Sequence, residues 1–339
     1  MDITIQPRFS YYSLIKSLFS TNNQISTTDY LLNTGRASLF TLLNHKLKNA
    51  ESIETVLLPE LICDDVSEVI TKLRIPISYY PLNEQLDPDV DFIANNIPDN
   101  HSILLVPNYF GSASNWKDIL DLKNYHNITI VEDNAHSLFG DYNDQSFGTI
   151  GDISFNSLRK ILPTLGGSIL KFNDKQPEDI KKSERLPNMH ELKVSLASLK
   201  PLLFKKYPSA LKSLDSSMSS VNSMDVFSKQ IYNKISRETI CSIRKENYKF
   251  WQQYLKNVDI EPIKLREPSC PYVYPCYARN FSEVEKFIEW GKINNITIIN
   301  WPKLPINVNL NESKLSKIVC FPVNHQYRLD QIENLNDLH

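Results

Sequence analysis

Gly148 to Gly167, GTIGDISFNSLRKILPTLGG, decides how the rest of this chain is read. Ile153 to Asn156 reads as a short strand. Ser157 and Lys160 follow it at a spacing of three, and Gly166-Gly167 precede the apolar run Ser168-Ile169-Leu170, which reads as another strand. Glycine permits tight turns and close approach of backbone, so the stretch is expected to set Lys160 between two turns that bring backbone near a ligand. A lysine in such a cleft loses the solvation that favours its charged form, and its amine becomes available to form a Schiff base. A solvated loop lysine beside Arg159 is the alternative that this stretch alone leaves open.

Upstream, short apolar runs alternate with helical patterns. Thr55-Val56-Leu57-Leu58 ends at Pro59, and Cys63 to Leu73 follows with helical spacing. Ile77 to Tyr80, Ile103 to Val106 and Ile128 to Val131 continue the series. Buried strands separated by helices predict an α/β fold with a mostly parallel sheet covered on both faces. Ligands in such sheets sit outside the carboxyl ends of the strands. Those ends carry Pro59 to Cys63, Asn108 to Gly111, Asp133 to His136 and Ser157 to Lys160, all placed to face one crevice.

Seven of the eight glycines fall between Gly35 and Gly167. Gly35 opens a helix whose leucines at 39, 42 and 43 repeat at helical spacing. Its first turn offers free N–H groups to a phosphate, and Arg36 can add a bidentate charge. Ordinary N-capping by Thr34 accounts for the same residues without any ligand. Asp133, at the end of a central strand, can serve as an acid, a metal ligand or the partner of a protonated ring nitrogen.

Composition narrows the classes. A length of 339 residues exceeds what one core usually holds, so two domains are expected. A net charge of -2 gives no electrostatic footprint for nucleic acid or an anionic membrane. No run of 18 apolar residues and no signal-peptide pattern is present, so the reading is a cytoplasmic protein. Five cysteines without a CxxC pair read as reduced, mostly buried thiols. GxGxxG, GxxxxGK[ST] and HExxH are all missing, which disfavours dinucleotide, P-loop and metal chemistry.

EDNAH at 132 to 136, GTIGD at 148 to 152, SLRK at 157 to 160 and the Gly166-Gly167 pair together resemble the DegT-like sugar aminotransferases, fold type I pyridoxal phosphate enzymes, over about Leu31 to Leu170. Weaker echoes lie in CPYVYP at 270 to 275 and FPVNHQY at 321 to 327. The resemblance implies that Lys160 forms the Schiff base with pyridoxal 5'-phosphate and that Asp133 keeps its pyridine nitrogen protonated. It places His136 near the phenolic oxygen, Thr34, Gly35 and Ser157 at the phosphate with Arg36 just inside that turn, and Asn108 where the family often has histidine. Cys63 stands where an aromatic cover is common. The usual GEGG is reduced to Thr164-Leu165-Gly166-Gly167, and the lysine segment matches variants with LRK and a following proline, here Pro163.

The resemblance further implies a homodimer, a nucleotide-linked keto sugar as substrate and glutamate as amino donor, for amino-sugar and surface polysaccharide biosynthesis. A dehydratase or lyase using the same cofactor, or a non-catalytic binding protein, are the competing classes. The dehydratases of the family carry histidine where Lys160 stands. The expected domains are 1–180, a large cofactor-binding unit; 181–235, a serine-rich connection; and 236–339, a small C-terminal α/β unit. Asn222 is the candidate for an asparagine delivered by a partner subunit. Aromatics in the helix from Arg237 to Leu255 are expected in the core, and His325 in a loop.

Overall fold

A computed structural model describes residues 2–18, 25–49, 52–98, 100–180, 185–189, 191, 221–267, 270–310, 313–332 and 335. Most of the connection expected at 181–235 lies outside the described residues.

Seven strands build the larger sheet: β1 (Tyr30–Leu32), β2 (Thr55–Pro59), β3 (Ile77–Tyr80), β4 (Ser102–Pro107), β5 (Ile128–Asn134), β8 (Ile153–Asn156) and β9 (Ser168–Phe172), with the hairpin β6 (Asp141–Tyr142) and β7 (Gln145–Ser146) between β5 and β8. Their order is β1-β9-β8-β5-β4-β2-β3. Pairs from β3 through β2, β4 and β5 to β8 are parallel, and β9 and β1 join antiparallel. Every residue of β2, β4 and β5 is buried, as a sheet covered on both faces requires.

After a first short helix, α1 (Tyr11–Leu18), helices α2 (Gly35–Lys48) and α3 (Asp64–Lys72) cover one face of the larger sheet. The other packs residues of α4 (Val90–Asn96) and α5 (Trp116–Asp121), including Ile93, Trp116 and Ile119. In α2 the helical repeat buries Leu39, Leu42 and Leu43 almost completely. Truncating any one of them to alanine costs about 2–5 kcal/mol. Thr34 caps this helix by accepting the Ala37 N–H at 3.1 Å.

The second sheet, β10 (Glu261–Pro262), β11 (Val273–Tyr277), β13 (Ile318–Pro322) and β12 (Ile299–Asn300) in that order, is antiparallel throughout. The long helix Arg237–Tyr254 and the helix Phe281–Ile293 pack on it. Of the aromatics of the long helix, expected in the core, Trp251 is fully buried, lies 4.9 Å from the Phe321 ring and donates its indole N–H to the Pro322 carbonyl at 2.7 Å, whereas Tyr248, Phe250 and Tyr254 are half-buried against that core.

The two sheets meet through the turn after β4. Phe110 (φ 56°) and Gly111 (φ 95°) both take the left-handed conformation. A Cβ on Gly111 would collide with the Cys270 carbonyl, so glycine is required there. The Tyr272 N–H then donates to the Phe110 carbonyl at 2.9 Å, which joins β11 to the end of β4.

Candidate active site

A cavity of about 610 Å³ opens at the carboxyl ends of the parallel strands, within the range of small-molecule and cofactor sites. All eight residues singled out from the sequence line it: Thr34, Gly35, Arg36, Cys63, Asp133, His136, Ser157 and Lys160. Four strand ends converge there because the parallel register aligns them; Asp133 pairs with Pro107 on one side and Phe155 on the other.

Lys160 sits in a one-turn helix, α6 (Leu158–Ile161), held on several sides. Leu158 N–H donates to the Gly167 carbonyl at 2.9 Å, and Gly167 N–H donates to the Asn33 carbonyl at 2.7 Å. The double glycine therefore fastens the lysine turn to the start of α2. A Cβ at Gly166 would lie 2.8 Å from the Asn33 carbonyl oxygen, too close for any other residue. At the far end, Arg244 donates to the Ile161 carbonyl at 3.2 Å and to the Pro271 carbonyl at 3.1 Å. Arg159 lines the same cavity, with its guanidinium donating to the Gln6 side-chain oxygen.

Asp133 is buried, and one of its oxygens accepts the Ala135 N–H at 2.8 Å. Burial pushes its carboxyl up to about 6; the Ala135 N–H and the Lys160 charge oppose that rise. His136 is held well below the usual imidazole value, first by burial and then by Lys160, so it is neutral at pH 7. Its ring is sandwiched between Tyr272 (4.5 Å, 19°) and Phe110 (5.4 Å, 10°), which leaves only its edge for a ligand.

Some expectations change. The Gly148 turn (φ 90°) does not bring backbone to this cavity; its N–H donates to Glu132 Oε1 at 2.8 Å, on the opposite side of the sheet from Asp133. Asp152 of the same motif accepts the Ile130 N–H at 2.8 Å and pairs with Lys123, so it too is structural. Arg36 is not an open fork, because Asp65 takes its guanidinium at 2.6 Å. Thr34 caps α2 through its hydroxyl oxygen and also lines the cavity. Asn108 spends its amide on Glu132, Asn134, Ser114 and Trp116, which makes it a hub of the framework. Asn222 borders the cavity of its own chain and is tied to Asn33.

Burial pushes the Cys63 thiol up to about 12, so it stays protonated. Its sulfur and the carboxylates of Asp64 and Asp65 come within 4.8 Å of one another, yet a protonated thiol is a poor metal ligand and both carboxylates already hold cations. The residues that sequence reasoning passed over come from distant segments: Gln6, Tyr272, Ile299 and Trp301 all line the cavity. Tyr272 lay within the CPYVYP echo, which gave no role to it; nothing local marks the others.

Residues 40–193 match the model of the DegT/DnrJ/EryC1/StrS aminotransferase family. Among curated proteins, an uncharacterized protein of Methanocaldococcus jannaschii is 29% identical over 101 residues, covering 29% of this chain and 26% of that protein. The chain thus spans about a quarter of the length of that relative. Among solved structures, Spr1654 of Streptococcus pneumoniae, assigned as a sugar aminotransferase and solved in its PLP form, matches with a TM-score of 0.71 at 14% identity, over 98% of this chain and 96% of that one. Helicobacter pylori PseC, an aminotransferase of pseudoaminic acid biosynthesis, matches at 0.69 and 13% identity over 97% and 96%. The Escherichia coli GDP-4-keto-6-deoxy-D-mannose-3-dehydratase with bound hydrated PLP matches at 0.65 and 13% over 96% of each chain.

Pyridoxal phosphate is the cofactor of that family, and the residues present fit it. A buried carboxylate and a lysine share the cavity, and a helix N-terminus with two hydroxyls and close-packed glycines suits a phosphate. Among the described residues, no helix is long and apolar enough to cross a membrane.

Proposed function

Because residues 40–193 match the model of the DegT/DnrJ/EryC1/StrS aminotransferase family, we propose that this chain uses pyridoxal phosphate to move an amino group from glutamate to the keto carbon of a nucleotide-linked sugar. The observation that carries the reading is the meeting of Lys160 and Asp133, from the ends of neighbouring strands, in one cavity.

When bound, pyridoxal phosphate supplies an aldehyde that condenses with amines and a protonated ring that accepts the electron pair of a broken Cα–H bond. Lys160 would hold the cofactor through its amine, and the same amine, when free, would move the substrate Cα proton as general base and acid. Asp133 holds a proton on the ring nitrogen. Its raised affinity for a proton in this buried setting favours a charge-assisted hydrogen bond there over a bare carboxylate. Thr34, Gly35 and Ser157, with the first turn of α2, bind the phosphate; Arg36, while paired to Asp65, adds a positive field. Neutral His136 orients groups at the ring's edge without adding a charge.

The exposed Asn188 and Met189 and the half-buried Gln6 and Arg159 also line the cavity, and they are the residues we assign to the sugar and nucleotide. The enzyme works as a cytoplasmic homodimer in amino-sugar and surface polysaccharide biosynthesis, with a cofactor-binding unit at 1–180 and a small unit at 236–339. The test is a two-part assay on purified protein. Glutamate should convert the yellow form to the amine-loaded form with release of 2-oxoglutarate, and a panel of nucleotide keto sugars should then regenerate it. Failure of glutamate to bleach the yellow form would reject the donor, and failure of every keto sugar would reject the acceptor class.

A further inference from the structure

We propose that Trp301 is a ligand-contacting residue of this cavity, and that its indole takes the planar pyridine ring of the cofactor against it. The proposal rests on the reading of the cavity as a pyridoxal phosphate site and adds a residue from the second sheet to that site. Trp301 follows β12, and its backbone N–H donates to the Ile318 carbonyl at 3.1 Å, so its position is set by the small sheet.

Three observations converge on it. First, Trp301 is half-buried and lines the same cavity as Cys63, although the two residues come from segments next to different sheets. The segments are fastened together: Asp64 N–H donates to the Lys303 carbonyl at 3.0 Å, and the Lys303 ammonium pairs with the Asp64 carboxylate at 2.5 Å. A thiol at 63 leaves room for the large ring that a bulky residue there would displace.

Second, the contacts of the indole are all of one kind. It meets His136 at 4.9 Å and 66°, Phe110 at 5.2 Å and 75°, and Tyr109 at 5.9 Å and 72°. No ring stacks parallel to it among the described residues. His136, by contrast, already has two near-parallel ring neighbours, Phe110 and Tyr272, whereas Trp301 lines the cavity with none. A flat electron-poor ring against an indole face is a favourable aromatic contact.

Third, the indole lies at the reacting end. Its ring neighbour His136 and the cavity residue Cys63 both feel the charge of the Lys160 ammonium, and the Lys160 Nζ lies 6.0 Å from the centre of the Tyr272 ring that stacks on His136. A ligand joined to the Lys160 amine therefore shares one cavity with the indole.

Tryptophan emission tests this without any turnover. The chain has four tryptophans, of which Trp116, Trp251 and Trp290 are buried in the cores. Adding pyridoxal phosphate to the apoprotein should quench emission, and Trp301→Phe should lose more than half of that quench at equal cofactor occupancy, judged by absorbance. Trp301→Ala should weaken cofactor affinity about tenfold, and Cys63→Tyr placed in that variant should restore much of it. Lys160→Ala, which binds without the covalent link, should keep the quench. Equal quenching in Trp301→Phe and the unmodified protein overturns the assignment of Trp301 alone. An unmodified protein that never acquires cofactor absorbance overturns the cofactor site itself, and the assignment of Trp301 with it.

Discussion

Glu132 and Asp133 are consecutive buried carboxylates on β5, and the pleat sends them to opposite faces of the sheet. Glu132 accepts from Gly148 N–H at 2.8 Å, Ile150 N–H at 3.2 Å and the Asn108 amide at 3.1 Å. Asp133 accepts the Ala135 N–H and turns toward the cavity and Lys160. Burial raises the proton affinity of both. The difference lies in what surrounds them. A carboxylate wrapped by the protein's own donors organises a turn, whereas one left partly unsatisfied beside a cavity waits for a ligand's proton.

That contrast gives predictions of decreasing size. On the cavity side, Lys160→Ala should lower turnover by about 10⁴-fold or more while leaving the fold intact, since Lys160 carries the proton transfers. Steady-state rates and circular dichroism check both parts. Restored turnover with small amines would locate the defect in the missing base.

Asp133→Asn should slow Cα deprotonation by about 10²–10³-fold, read from exchange of the donor's α-proton in deuterium oxide. The same substitution should stabilise the apoprotein at neutral pH. A carboxyl raised to about 6 in the folded chain, against an ordinary value near 3.8, favours folding fully only below pH 4. That contribution is lost as pH rises through 6, at a cost on the order of 2–3 kcal/mol. Apo Asp133→Asn should therefore unfold at a higher temperature than the apo parent at pH 7.5, with the gap closing near pH 4. A gap that stays constant with pH would show that Asp133 does not meet the cavity as an under-solvated carboxyl.

On the other face, Glu132→Ala should destabilise the protein by about 2–4 kcal/mol, because it strands two backbone N–H groups and part of the Asn108 amide in the interior. Its damage should show in denaturant midpoint first and in cofactor affinity only after the fold loosens. Loss of cofactor without loss of stability would dissolve the contrast between the two faces.

Smallest is Ser157→Ala. The Ser157 hydroxyl makes no capping bond to α6, so it is available to the phosphate. Its removal should weaken pyridoxal phosphate binding by roughly tenfold, the size of one charge-assisted hydrogen bond. Titration of the apoprotein measures it, and an unchanged affinity would move the phosphate away from this end of α6.

The strand runs, the order of helices and the meeting of four strand ends were all legible, because burial on both faces writes continuous apolar runs and parallel register aligns their ends. Asp133 and Lys160 were legible for the same reason, one at the carboxyl end of a strand and the other just beyond its neighbour. Glu132 stands next to Asp133 on the same strand, yet nothing in the sequence says that the glycine turn at 148 belongs to it. The φ of 90° explains the glycine, while the partner that holds it lies on another strand. The pairing of Arg36 with Asp65 was not legible, because Asp65 sits in a different helix. Trp301 and Tyr272 reach the cavity only through packing of the second sheet on the first, a relation that no local spacing records.

The central claim is that Lys160 is the residue that binds the cofactor. Protein incubated with pyridoxal phosphate, reduced with borohydride and digested should yield one modified peptide, carrying the pyridoxyl group on Lys160, with Asp133→Asn giving the same peptide. Modification of any other lysine, with Lys160 unmodified, would contradict the account.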